Sequence, residues 1–168
     1  MKAIVAVDKN WGIGKDGSLL ISIPEDMKFF RETTSGHTVV MGRKTLESFP
    51  GGRPLKNRVN VVLTRNGAFE KEGCVIIHDR NELPCLLEGL DGEVFLIGGA
   101  SVYRELLDMC DTAYVTKIDA AFDAVVSFPD LDSDPAWTIA EQSEEKEYEG
   151  IKYRFVTYKK DRMNLERK

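Results

Sequence analysis

Cysteine and histidine are scarce in this chain. Cys74, Cys85, Cys110, His37 and His78 are the whole supply in 168 residues. The cysteines are odd in number and show no CxxC or metal spacing. That argues against a disulfide framework and a zinc site, and for reduced, mostly buried thiols in a cytoplasmic protein. No apolar run is long enough to span a bilayer, and the one in "MKAIVAVDKN" is too short for a signal peptide. Repeats and low-complexity tracts are absent. Positive charge is in deficit, with 23 Lys and Arg against 28 Asp and Glu and a net charge of −5. Neither nucleic acid nor an anionic membrane surface is therefore expected as the main partner. There is also no GxGxxG, the usual dinucleotide fingerprint.

What is present suits one domain with a substantial core, since 42% of residues are hydrophobic. The domain is expected to span 1–160, with a charged tail over 161–168 that frays. Charge is uneven. Arg43, Lys44, Arg53, Lys56, Arg58 and Arg65 share one window with Glu47, giving it +5 and leaving −10 for the remainder. Such a cluster fits a solvated basic face or a site for an anionic small molecule.

Short β-branched runs alternate with helical patterns. "AIVAV" (3–7) predicts a central strand buried on both faces. The polar, glycine-rich "DKNWGIGKDGS" predicts a mobile loop. A helix is expected from Pro24, with Ser22 and Glu25 spaced as a capping box. Strands follow at 37–42, 58–64, 74–78, 93–99 and 112–118, with helices at "RKTLESF", "RNELPCLLEGL" and "ASVYRELLDM". "WTIAEQS" and "IKYRFVTYKK" alternate by twos, as in an antiparallel hairpin at a sheet edge. The fold class is α/β, a mostly parallel sheet flanked by helices with an antiparallel C-terminal end.

Ligands of such sheets bind beyond the carboxyl ends of strands. Three ends carry informative residues. In "VVMGRKT", Gly42 precedes Arg43, Lys44 and Thr45 at a helix start, a combination suited to phosphate. "FLIGGAS" repeats the pattern with Gly98, Gly99, Ala100 and Ser101, although a tight structural turn explains strand–GG–helix equally well. "VVLTR" ends on Thr64 and Arg65. Together they suit a dinucleotide with an additional phosphate. In "SIPEDMKFFRE", Met27 and Phe30 define an apolar helix side that Asp26 borders, about 40° from Phe30. Asp26 is either a solvated acid near the positive end of the helix dipole or a carboxylate in an apolar pocket that needs a donor partner.

Seven segments in this order, "AIVAVDKNWGIGKDG", "IPEDMKFFRETT", "VVMGRKTLESFP", "GRPLKNRVNVVLTR", "FLIGGASVYREL", "AYVTKID" and "FPD", closely resemble bacterial dihydrofolate reductases over nearly the whole chain. The resemblance implies a central eight-stranded sheet and NADPH-dependent reduction of 7,8-dihydrofolate. The expected partners are this substrate and antifolate inhibitors, and the protein is expected to be a monomer. By position, Asp26 resembles the carboxylate that holds the pterin 2-amino group and N3, and Thr116 the threonine bonded to it. Met27, Phe30, Phe49, Leu55 and Ile97 would wall the ligand, with Ile4, Val5 and Ala6 beneath the ring. Arg58 would pair with the α-carboxylate of the glutamate tail. For the cofactor, Gly42, Arg43, Lys44 and Thr45 would meet phosphate. Gly98, Gly99, Ala100, Ser101 and Val102 would meet the pyrophosphate, with Tyr103 near the nicotinamide. Thr64 and Arg65 would take the 2′-phosphate, Leu63 beside them would also meet the cofactor, and Ala6, Ile13 and Gly14 would meet the carboxamide.

Two departures stand out. The family's usual "LPW" is "LLI" here, Leu19 to Ile21, and neither Trp11 nor Trp137 aligns with the missing ring. The frequent "GDT" before "FP" is replaced, with Ala124 and Val125 at its first two positions. Val125 cannot supply the acid that clasps the glycine-rich loop, and Asp123 lies one residue earlier. Two alternatives stay open: a same-fold pyrimidine reductase of riboflavin synthesis, against which Asp26 with Arg58 speaks, and a non-catalytic NADPH-binding module, motivated by these two losses.

Overall fold

The computed structural model describes residues 1–14 and 20–161. Residues 15–18 of the glycine-rich loop, Leu19 and the tail from 162 onward lie outside the described residues. Strand β1 (Lys2–Val7) leads to a short β2 (Gly12–Gly14) and helix α1 (Pro24–Thr34). Next come β3 (Thr38–Gly42), α2 (Arg43–Glu47), β4 (Val59–Leu63), β5 (Cys74–Ile77) and α3 (Leu83–Glu88). The second half holds β6 (Val94–Gly98), α4 (Ala100–Leu106), β7 (Thr112–Ile118), β8 (Val126–Ser127), β9 (Trp137–Gln142), β10 (Lys146–Tyr148) and β11 (Ile151–Lys160).

The main sheet runs β10–β11–β7–β1–β6–β3–β4–β5, with β9 also on β11. β7 occupies one edge of β11 from Tyr153 to Lys159, so β9 and β10 share the other. They act as one interrupted strand, and the nine segments fill eight positions. At the interruption, the Ser143 hydroxyl accepts from the Phe155 N–H at 2.9 Å. β5, β4, β3, β6, β1 and β7 are all parallel, and β11 is antiparallel to β7.

Side chains alternate across the sheet, as the pleat requires. Ala3, Val7, Val40, Val61, Leu96, Ala113 and Val115 build one layer with Val102, Tyr103 and Leu106 of α4. Ile4, Val39, Met41, Val62 and Phe95 build the other, with Phe29 and Phe30 of α1 packed against it. Strands buried on both faces explain the continuous apolar runs.

Four expectations change. Ser22 and Glu25 form no capping box. The residue before the helix is Ile23, without a side-chain cap. The Ser22 hydroxyl donates to Met27 Sδ at 2.8 Å, and Glu25 accepts from Tyr153 Oη at 2.6 Å and pairs with Lys146 Nζ at 3.1 Å. The Glu25 partners fasten the first turn of α1 to the C-terminal strands. Within the expected loop, Gly12–Gly14 pairs antiparallel with β8. The apolar side of α1 is Phe29 and Phe30, because Met27 is 50% exposed. Of the three free cysteines only Cys110 is buried; Cys74 is half-buried and Cys85 faces solvent.

Leu96 is fully buried at the centre of the sheet. Leu96→Ala is predicted to lower unfolding free energy by about 2–5 kcal/mol in denaturant titrations, with the slope unchanged.

Candidate active site

The site forms where β1 and β6 part. β1 is paired with β6 only at Lys2 and Ala3, but with β7 as far as Val7. The β6-side groups of β1 are therefore left without that partner beyond Ala3. Tyr103 Oη donates to the Ile4 carbonyl at 2.6 Å, filling the first of them. Burial pushes the Tyr103 phenol far up, so it stays a donor. Ala6, two residues along, turns its N–H and C=O to the same side as Ile4, into the gap. Ile4 and Ala6 face the layer of α1, whereas the side chain of Val5 packs in the opposite layer. Val5 therefore brings only its backbone to this site.

Helix α1 roofs the gap. Thr116 Oγ1 donates to Asp26 Oδ1 at 2.5 Å, joining the first turn of the helix to β7. Among the described residues, no other side chain hydrogen-bonds Asp26, so Oδ2 is unclaimed. Burial pushes this carboxyl above the usual aspartate range, and the Thr116 bond pulls it partly back. Asp26 lies on one ridge of the helix with Phe29 and Phe30, at three- and four-residue spacing. Phe30, Phe49, Leu55 and Ile97 pack around the same apolar patch, with Ile4 in its floor.

Arg58 closes the far end. Its guanidinium lies 5.9 Å from the centroid of the Phe30 ring, and one of its nitrogens donates to the Arg31 carbonyl at 3.4 Å. Its Nε is buried without a hydrogen-bond partner. Burial, and then the like charge of Arg31, push this guanidinium below its usual pKa. A half-buried cation with an unfilled N–H calls for an anion.

The second half of the site lies beyond the carboxyl ends of β3, β6 and β4. Because β3 pairs with β6, with Met41 opposite Gly98, the two glycine turns meet. A Cβ on Gly42 would lie 2.9 Å from Val102 Cγ2, and one on Gly99 3.4 Å from Thr45 Oγ1. Gly98 has φ 129°, a conformation that favours glycine, and its peptide to Gly99 is cis. This backbone cradle would be filled by any larger residue. Arg43, Lys44, Ala100 and Ser101 border it. Gly42 lies opposite Leu63 in the sheet, so Thr64 and Arg65 continue the same rim. His78 Nδ1 sits 2.9 Å from the Thr64 carbonyl, and His37 Nδ1 accepts from the Glu93 N–H at 3.1 Å. Both histidines hold backbone.

The departures have structural counterparts. Ile21 packs in an apolar cluster with Ile23, Ile118 and Tyr153 and supplies no donor there. Val125 is 71% exposed, and its N–H donates to the Gly14 carbonyl at 2.9 Å. Trp11 and Trp137 are buried in the opposite layer.

Asn60 was missed by sequence reasoning. It is 2% exposed. Its Oδ1 accepts from the Leu55 N–H at 3.0 Å, and its Nδ2 donates to the carbonyls of Leu55 at 3.0 Å and Arg58 at 3.2 Å. It shapes the loop that presents Leu55 and Arg58. The signal was a lone amide inside the apolar strand "VNVVL".

Comparison with known proteins finds relatives along nearly the whole chain. The family model described as dihydrofolate reductase matches residues 1–160. Dihydrofolate reductase of Bacillus subtilis strain 168 is 38% identical over 159 residues, covering 94% of this chain and 92% of that protein. The Staphylococcus aureus Mu50 enzyme of the same name is 37% identical over 146 residues, 87% of each chain. A solved dihydrofolate reductase from Enterococcus faecalis, complexed with NADP(H) and RAB-propyl, superposes with a TM-score of 0.85. It is 34% identical, with 95% of both chains covered.

Replacing the buried amide leaves the backbone groups of Leu55 and Arg58 unpaired. Asn60→Ala is predicted to cost about 1–3 kcal/mol of stability, read by denaturant unfolding.

Proposed function

The chain belongs to the dihydrofolate reductase family, and from that premise we propose that Asp26 grips the pterin edge of the substrate while Arg58 receives its glutamate tail. The enzyme is an oxidoreductase that reduces 7,8-dihydrofolate to 5,6,7,8-tetrahydrofolate with NADPH. Its ligands are small molecules, the folate substrate and antifolates. No helix among the described residues is long and apolar enough to cross a membrane. A monomer in the cytoplasm, without nucleic-acid partners, is the accompanying reading, supported for nucleic acid by the net charge of −5.

The carrying observation is the Asp26–Thr116 bond at 2.5 Å. It occupies Oδ1 and leaves Oδ2 for a second donor. A pterin presents adjacent donors at its 2-amino group and N3, which match a fixed carboxylate. Ile4, Phe30 and Ile97 supply flat apolar contact for the ring. Holding negative charge at the N3 edge polarises the ring toward protonation at N5, where water delivers the proton. Arg58, with its unfilled Nε, suits the tail carboxylate.

The cradle of Gly42 and Gly99, bordered by Arg43, Lys44 and Arg65, fits the phosphates of NADPH. Bound there, the cofactor supplies the hydride. Ala6 and Ile13 are the backbone partners for the carboxamide, and Tyr103 fixes the Ile4 carbonyl beside them. The Gly14 carbonyl is committed to Val125. A glutamate-binding Arg58 disfavours a pyrimidine substrate, which has no such tail.

Asp26→Asn keeps the shape but removes the charge. Turnover, followed by loss of NADPH absorbance on adding dihydrofolate, is predicted to fall by about 10²-fold or more. No turnover in the wild type at ample enzyme would overturn the reductase reading. Because the folded state raises the Asp26 pKa, it binds this proton more tightly than the unfolded chain does. Stability from this group is full below the ordinary carboxylate pKa and is lost as pH rises through the folded value. Asp26→Asn is therefore predicted to melt at a higher temperature than wild type near neutral pH. The gain should shrink toward about pH 4. Ile21→Trp, which restores a donor, is predicted to change hydride-transfer rate and antifolate affinity; unchanged values would show that position 21 is silent.

A further inference from the structure

The acid absent at position 125 has a counterpart across the clasp. Asp8 follows β1 and is only 2% exposed. Its Oδ1 accepts from the N–H groups of Asn10 and Gly12, both at 2.8 Å, and its Oδ2 from the Phe122 N–H at 3.1 Å. One carboxylate thus ties the turn before β2 to the loop before β8. A buried charge is tolerated because three N–H groups meet it. Around it, Asp8 N–H donates to the Gly12 carbonyl and Lys9 N–H to Ala120, each at 3.0 Å, and Phe128 N–H donates to Trp11 at 2.8 Å.

The turn is tightly determined. A Cβ on Gly12 would lie 2.4 Å from Ala124 Cβ and 2.9 Å from Asp8 Oδ2, so only glycine fits between the loop and the carboxylate. Trp11 holds φ 60°, a conformation a bulky side chain adopts only where its surroundings impose it. Immediately after this turn come Ile13 and Gly14.

We infer that Asp8 is a positioning residue for NADPH: by holding the Phe122 and Gly12 amides together, it sets the backbone that meets the nicotinamide carboxamide. This rests on the reading that the Ile13 backbone faces that group. The clasp runs in the opposite sense to one made from position 125, with the acid on the β1 side and the amide donor on the β8 side.

Asp8→Asn separates the parts. Its single oxygen can keep Asn10 and Gly12, while its NH2 group confronts the Phe122 N–H. Hydrogen exchange of the Phe122 amide is expected to rise about tenfold, with Gly12 still protected. NADPH affinity by calorimetry is expected to fall about tenfold, while affinities for adenosine 2′,5′-bisphosphate, which lacks the nicotinamide, and for dihydrofolate stay unchanged. Unchanged Phe122 exchange overturns the role of Asp8 alone, since Asp26→Asn tests the reductase site independently. Faster exchange with unchanged NADPH affinity overturns the proposal and leaves the reductase reading, tested by Asp26→Asn, standing. Equal loss for NADPH and the bisphosphate would mean general loosening and also defeats it. Asp8→Ala, losing all three bonds, should show the same pattern with Gly12 exchange raised as well.

Discussion

A carboxyl group held in apolar surroundings is the constraint on which this site turns. Asp26 sits on the ridge of α1 that carries Phe29 and Phe30, and its protein partner among the described residues is the Thr116 hydroxyl. That bond spans from the first helix to the seventh strand and, with the Glu25 contacts to Tyr153 and Lys146, holds the helix over the sheet. It also leaves the anion half satisfied. Protein chemistry rarely tolerates that without a ligand to complete it, and raised proton affinity is the physical sign of the deficit.

The remainder of the site follows from strand order. The chain could not open a slot in a parallel sheet without exposing backbone groups, yet β1 separates from β6 after Ala3. Tyr103, from the helix after β6, covers the Ile4 carbonyl. Ala6 lies further along the same edge. Pairing of β3 with β6 and β4 then gathers the two glycine turns and the Thr64–Arg65 rim on one side of the slot. The proposed substrate and cofactor residues come from different stretches of sequence, and parallel pairing makes them neighbours.

Much of this was legible in the residues. The run "AIVAV" (3–7) matched the observed strand from Lys2 to Val7, because a strand buried between two layers leaves a continuous apolar signature. Asp26 stood out because a charge broke a helical apolar stripe. What escaped reading was set by partners distant in sequence. The capping box failed because Glu25 found Tyr153 and Lys146, more than a hundred residues away. The strand at Gly12–Gly14 was hidden because it pairs with Val126–Ser127, and glycines carry no strand pattern. Asn60 and Asp8 act by holding backbone amides and carbonyls, contacts that leave no periodicity.

The replacement of a usual tryptophan by Ile21 has a spectroscopic consequence. The two indoles of this protein, Trp11 and Trp137, are both buried in the layer opposite Asp26, with Trp11 stacked at 6.3 Å on Phe128. Its tryptophan fluorescence carries no emitter beside the proposed pterin pocket. Quenching on ligand addition would report the environment of the turn after β1, and the emission of Trp11 becomes a built-in gauge of that turn.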